Sequence, residues 1–176
     1  MRHDQRLSNG ARPEAAPGGL DDLRALVDNA ALTMAYQPIV DLRHGELAGY
    51  EALTRPAKGT GFAHPGVLFD TAKTHNMLWP LEKITRQQAF GACTRWDERV
   101  RLFINCTPDV FADDRFANEI LAAVGRNADL TPDRFVLEIT ERSDTQHIEG
   151  LDRQVRLLRQ RVSRSPSTMS ARARAA

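Results

Sequence analysis

Apolar residues recur along this chain at two spacings, and the spacing changes several times. Leu20, Leu23, Leu26 and Val27 fall on one face of a helix, with Asp21 and Asp22 at its positively polarised start. Tyr36 to Asp41 reads as a strand, His44-Gly45 as a turn, and Leu47 to Leu53 as the strand that returns. Gly59, Gly61 and Pro65 mark a loop. Val67, Leu68 and Ala72 predict a helix with Met77 and Leu78 near its end, and Pro80 opens another, striped by Leu81, Ile84, Gln88, Ala92 and Trp96. Arg101 to Cys106 is a short apolar strand, after which Thr107-Pro108 starts a helical region with proline at its first position. Phe116, Ile120, Leu121 and Val124 stripe the main helix there. Arg134 to Thr140 forms a further strand behind the Thr131-Pro132-Asp133 turn, and Ile148, Leu151, Val155 and Leu158 a last helix.

A hairpin followed by helix, strand, helix, strand and helix is the rhythm of an α/β fold with a parallel sheet. Residues 1–19 hold few large apolar side chains and read as a disordered lead-in, leaving 20–160 as the folded unit and 161–176 as a tail of neither period. No internal repeat is visible.

Composition narrows the function. With 41% hydrophobic and 27% charged residues over 176 positions, the chain can build one core. No apolar run approaches the ~20 residues that span a bilayer, and no signal-peptide segment opens the chain, so the expected location is the cytoplasm. Cys93 and Cys106 suit neither a disulfide framework nor a zinc knuckle and read as small buried residues. The formal charge of +1 excludes a strongly basic nucleic-acid binder, and neither DNA nor RNA is expected as partner. It conceals an asymmetry: all 23 acids lie at or before Asp152, against 17 of the 24 cations, while seven arginines and no acid follow.

Three oxygen-bearing side chains stand at comparable places. Glu51 lies near the end of the second hairpin strand, Asn105 near the end of the third strand and Glu138 late in the fourth. In parallel α/β architectures the carboxyl ends of strands converge on the face where ligands bind. Two carboxylates and an amide oxygen there suit Mg²⁺, Mn²⁺ or Ca²⁺ rather than zinc. The five histidines show no metal-ligand spacing and read as surface residues.

Tyr36-Gln37-Pro38-Ile39-Val40-Asp41, followed by Gly49-Tyr50-Glu51-Ala52-Leu53-Thr54-Arg55, resembles the opening of EAL domains, the cyclic di-GMP phosphodiesterases. Glu51-Ala52-Leu53 is the signature triplet itself. Phe103-Ile104-Asn105-Cys106-Thr107 and Leu137-Glu138-Ile139-Thr140-Glu141-Arg142 follow in family order, so the likeness covers about 20–160. It implies a (β/α)₈ TIM-like barrel with an antiparallel first strand, present here to about half. By the same resemblance Glu51, Asn105 and Glu138 are metal ligands for Mg²⁺ or Mn²⁺. Gln37, Leu53 and Arg55 are substrate contacts, with Arg55 pairing with a phosphate oxygen. Glu141 supports a loop beside the catalytic centre. The implied reaction is hydrolysis of cyclic di-GMP to the linear dinucleotide pGpG, and the implied assembly a homodimer.

The family pattern goes on to an Asp-Asp strand, a lysine strand and a further metal-binding glutamate, none of which this sequence contains. No measurable hydrolysis is therefore expected of the chain as written. The alternative function is a degenerate EAL module that binds cyclic di-GMP or a protein partner without catalysis. The tail carries a trace of what is missing. Read from the third base of the Arg161 codon, with G in the wobble positions and T for Val162, it spells GFAVAVDDVGAGA. That is the Asp-Asp strand in the expected place, and the reading is a frameshift close to Gln160–Arg161, in the gene or in its sequencing.

Overall fold

The computed structural model describes residues 18–126, 130–139 and 150–162. It opens with helix α1 (Leu20–Asp28), whose Leu23 and Leu26 are buried. Asp22 accepts a hydrogen bond from the Gly19 amide at 3.1 Å, which closes the first turn. Gly18, placed in the lead-in by sequence, is part of the fold. Its amide donates to the Gly61 carbonyl at 2.9 Å, and a Cβ there would stand 2.8 Å from the Phe62 ring.

The hairpin pairs β1 (Leu32–Asp41) with β2 (Glu46–Pro56) in antiparallel register, Gln37 opposite Glu51 and Ala35 opposite Leu53. Both strands outrun the sequence expectation. β1 starts at Leu32 because Leu32, Met34 and Tyr36 alternate toward the apolar interior, a pattern that few β-branched residues announce. The connection turns at Gly45, whose φ of 69° favours glycine.

Helices α2 (Pro65–Thr74) and α3 (Leu78–Cys93) follow. Pro65 is the first residue of α2 rather than part of the preceding loop, Met77 caps α3, and Leu78 begins it. Parallel strands β3 (Arg101–Cys106) and β4 (Phe135–Ile139) flank the helices α4 (Pro108–Ala112) and α5 (Phe116–Arg126), and a single 3-10 turn at Pro132–Arg134 leads into β4. The last described element is α6 (Leu151–Val162), which carries the helix two positions beyond Gln160. Of the residues expected in β4 and α6, Thr140 and Ile148 lie outside the described residues.

The strand order is β1-β2-β3-β4, with β2, β3 and β4 mutually parallel, and this four-stranded sheet does not close. It is a partial barrel with a first strand antiparallel to the rest, as the hairpin predicts. Leu102, Ile104 and Cys106 of β3, Ala52 of β2 and Phe135 of β4 point toward the helices and are buried with Phe90, Phe111, Phe116 and Ile120. A second cluster joins Leu23 and Leu26 to Leu68, Ala72 and Leu81. Arg134 is buried beneath the sheet, where its Nη2 donates to the carbonyls of Cys93, Trp96 and Asp97 at 3.0–3.2 Å and so satisfies the end of α3. Among the described residues no helix is long and apolar enough to cross a membrane.

The buried face of α3 departs from the expected stripe. It consists of Leu81, Glu82, Thr85, Arg86, Ala89, Phe90, Ala92 and Cys93. Ile84 is only partly buried, the Gln88 side chain reaches the Ala30 carbonyl at 3.1 Å, and Trp96 lies past the helix end against the rings of Tyr36 and Tyr50. Sequence periodicity ranks apolar residues inward and therefore misplaces a helix that buries charge.

Candidate active site

Strand alternation decides where the candidate residues point. On β2 the buried Ala52 faces the helices, so Glu51, Leu53 and Arg55 face the other side. On β3 the buried Leu102, Ile104 and Cys106 leave Phe103 and Asn105 on that same side, and on β4 Phe135 leaves Val136 and Glu138 there. Register carries the argument across the sheet. Gln37 is the direct partner of Glu51, and Asn105 of Glu138. Gln37, Glu51, Leu53, Arg55, Asn105 and Glu138 thus share the face that no described helix covers.

Glu51 and Asn105 are in direct contact. Asn105 Nδ2 donates to Glu51 Oε1 at 2.7 Å, between side chains 54 positions apart. This bond orients the Glu51 carboxylate and commits the amide nitrogen, which leaves the amide oxygen as the acceptor of Asn105. Glu51, Asn105 and Glu138 are all intermediate in burial, neither sealed in the core nor fully in water. Arg55 is exposed, and its Nη1 donates to the Thr54 carbonyl at 2.9 Å. A guanidinium has five N–H donors, so one such bond leaves a fork available for an anion. Gln37 is exposed on β1. Glu141, the expected loop support, lies outside the described residues.

A cleft of about 330 Å³ opens where the carboxyl ends of β2 and β3 meet α2 and α3. Leu53, Arg55 and Asn105 line it together with Phe69, Asp70 and Lys73 of α2. It has the size and the mixed apolar and charged walls of a small-ligand site. Gln37, Glu51 and Glu138 are not part of its walls.

The oxygen donors fit a hard divalent cation in chemical type, since carboxylates and an amide oxygen are what Mg²⁺ and Mn²⁺ prefer. The set is small. Among the described residues no cluster of three or more His, Cys, Asp or Glu could hold a metal ion, and the site has two carboxylates and one amide. Cys106, next to Asn105, adds no soft ligand: it is buried, and burial together with the nearby Glu82 carboxylate pushes its thiol well above the ordinary range.

One residue at this site escaped the sequence reading. Glu82 of α3 is 2% exposed, lines the cleft, and accepts a hydrogen bond from the Thr107 amide at 3.1 Å. Burial raises its carboxyl above the usual range, against the opposing pull of Thr107 and Arg86. The available signal was a Glu and an Arg four apart on a helix, a spacing more common on solvated faces.

A family model for the EAL domain matches residues 20–162. The Sinorhizobium fredii protein y4lL is 29% identical over 120 residues, which are 68% of this chain and 14% of that protein. Among solved structures, the Xanthomonas citri FimX EAL domain in complex with c-diGMP superposes with a TM-score of 0.62 at 17% identity, covering 82% of this chain and 54% of that one. PaMucR phosphodiesterase in its c-di-GMP complex gives 0.69 at 22% identity, with 86% and 62% covered. Identities this low establish the shared fold, and the chain spans little more than half of these structures. The family model, matching the larger part of the chain over every strand described above, settles the lineage: this chain belongs to the EAL domain family.

Proposed function

We propose that this chain is the first half of a cyclic di-GMP phosphodiesterase centre. In this reading Glu51, Asn105 and Glu138 hold a divalent cation, and Gln37, Leu53 and Arg55 contact the dinucleotide. The observation that carries it is the placing of all six side chains on one uncovered face of the sheet, with Asn105 bonded to Glu51 at 2.7 Å. The likeness to two structures that are complexes with c-di-GMP supports the choice of ligand. A messenger of this kind places the chain in the cytoplasm, and a homodimer belongs to the same reading.

The residues divide the work by chemistry. Arg55 supplies a planar pair of donors for one phosphate. Leu53, at the wall of the cleft, offers apolar surface to a purine and excludes water from it. Asn105 keeps the Glu51 carboxylate in one orientation, so less side-chain entropy is lost when a ligand arrives. A cation held there would supply charge stabilisation at a phosphate oxygen and an activated water. Three donors leave much of the coordination sphere to solvent, so we expect the 176 residues of this sequence to bind without turning over.

Calorimetry of the full chain with cyclic di-GMP, with and without Mn²⁺, tests the reading, alongside chromatography for pGpG. We expect heat of binding that grows with Mn²⁺, loses that increment in Glu51→Ala, and weakens in Arg55→Ala. No binding in the millimolar range would overturn the assignment of ligand. Formation of pGpG above the Glu51→Ala background would overturn the expectation of binding alone.

A further inference from the structure

We propose that Glu82 is a positioning residue for this site: from α3 its carboxylate fixes the backbone just past β3, and through it the side chain of Asn105. The inference rests on the reading of Asn105 given above and adds a residue to it.

Both Glu82 oxygens approach the Thr107 amide, Oε1 at 3.1 Å and Oε2 at 3.4 Å. Pro108 has no N–H, so the Thr107 amide is the single backbone donor between Cys106 and Asp109. Whatever holds that donor sets how the chain leaves β3. Asn105 is two residues back, with the buried Cys106 between them, and its own bond to Glu51 is short enough to register a small displacement.

The carboxylate is itself held. Arg86, with 0% of its side chain exposed, donates to Glu82 Oε2 at 3.3 Å and to Glu119 Oε2 at 2.6 Å. Its guanidinium lies between the Trp79 and Phe116 rings, 5.5 and 5.0 Å from their centres. The chain of contacts runs from Glu119 on α5 through Arg86 and Glu82 on α3 to the end of β3. A packing role alone would be met by an apolar residue such as the neighbouring Leu81 or Ala89, since burying a carboxylate is unfavourable unless it is paired. The position of the charge, against the Thr107 amide two residues past Asn105 and on the wall of the same cleft, is what an orienting outer residue of a ligand site provides.

The test reads Asn105 directly. In the ¹⁵N spectrum of the full chain the Asn105 side-chain amide is assigned by its loss in Asn105→Ala, and Mn²⁺ is titrated by calorimetry. Glu82→Ala should move the Asn105 side-chain and Thr107 backbone signals and weaken Mn²⁺ binding about 10–100-fold. Glu82→Met, which keeps volume and lacks the acceptors, should do the same. Glu82→Gln keeps an acceptor and should lose less than about tenfold. Leu26→Ala, a cavity variant in the separate cluster beneath α1, should lower stability and leave the Asn105 signals in place. Unmoved Asn105 signals in both Glu82→Ala and Glu82→Met, or equal movement in Leu26→Ala, would overturn the proposal. Shifted Asn105 signals with no Mn²⁺ binding even in the wild type would sustain the positioning role and overturn the metal reading instead.

Discussion

Arg86→Met separates charge from packing at the centre of this fold. Methionine keeps most of the length of the arginine stem, while the guanidinium is lost together with its contacts to the Trp79 and Phe116 rings. What remains is Glu82, 2% exposed, with the neutral Thr107 and Cys106 groups beside it and no cation, and Glu119, whose side chain is 11% exposed. Removing one partner of a buried ion pair destabilises by about 3–5 kcal/mol. Because Glu119 can recover some hydration, the lower end, about 3 kcal/mol, is the expected loss here. Domains of this size are stable by roughly 5–15 kcal/mol, so the variant stays folded with a much smaller margin. With a urea dependence of about 1–3 kcal/mol per molar, the unfolding midpoint should fall by roughly 1–3 M. Circular dichroism during urea titration measures it. Arg86→Met/Glu82→Gln, which removes the stranded charge, should recover at least about 1 kcal/mol of the loss. A single variant within about 0.5 kcal/mol of the wild type, the range of ordinary surface substitutions, would refute the claim that Arg86 neutralises buried charge.

Three further outcomes follow from the same geometry. Gly49→Ala places a Cβ against the Arg101 carbonyl and the Phe103 ring, so it should lower stability by about 1–3 kcal/mol in the same urea titration. Glu82 has its carboxyl raised by burial, with Arg86 on its own helix, Cys106 at the end of β3, Thr107 just past it, and Glu119 behind Arg86 around it. A raised carboxyl contributes stability that is full below its unfolded value of about 4.3 and is lost as pH rises through the folded value. The wild type should therefore gain on Glu82→Gln as pH falls from 8 toward 4, and a difference in melting temperature that is flat across that range would contradict it. Sequencing the gene across the codons for 157–176 should show the Asp-Asp codons when read from the third base of the Arg161 codon; other wobble bases there would dispose of the frameshift.

Much of this architecture is written in the chain because short apolar runs are bounded by turn signals. The expected strand Arg101 to Cys106 matches β3 to the residue, since its apolar run is stopped by Thr107-Pro108. The placing of Glu51, Asn105 and Glu138 on one face follows from the two-residue period of a strand once the strands are parallel and in register. Only tertiary structure could show that Asn105 donates to Glu51, because register between strands 54 residues apart is set by packing rather than by local preference. The helices were harder. α3 inverts the usual sorting, burying Glu82 and Arg86 while Ile84 stays half-exposed, and a hydrophobic stripe has no means of representing charges that satisfy each other across two helices.

That inversion has a physical logic in an unclosed sheet. The helix side of the sheet is sealed by Leu102, Ile104, Phe111 and Phe116, and the opposite side, which carries the oxygen donors, has no described helix over it. Residues on an uncovered face cannot be held by packing against a neighbouring layer, so the order of Glu51 and Asn105 has to come from bonds that reach them along the strands or from behind. The Asn105–Glu51 bond supplies the first, and the Glu119–Arg86–Glu82–Thr107 connection supplies the second. Buried polar networks are rigid only when each member is satisfied. The candidate site should therefore loosen when α3 loses charge.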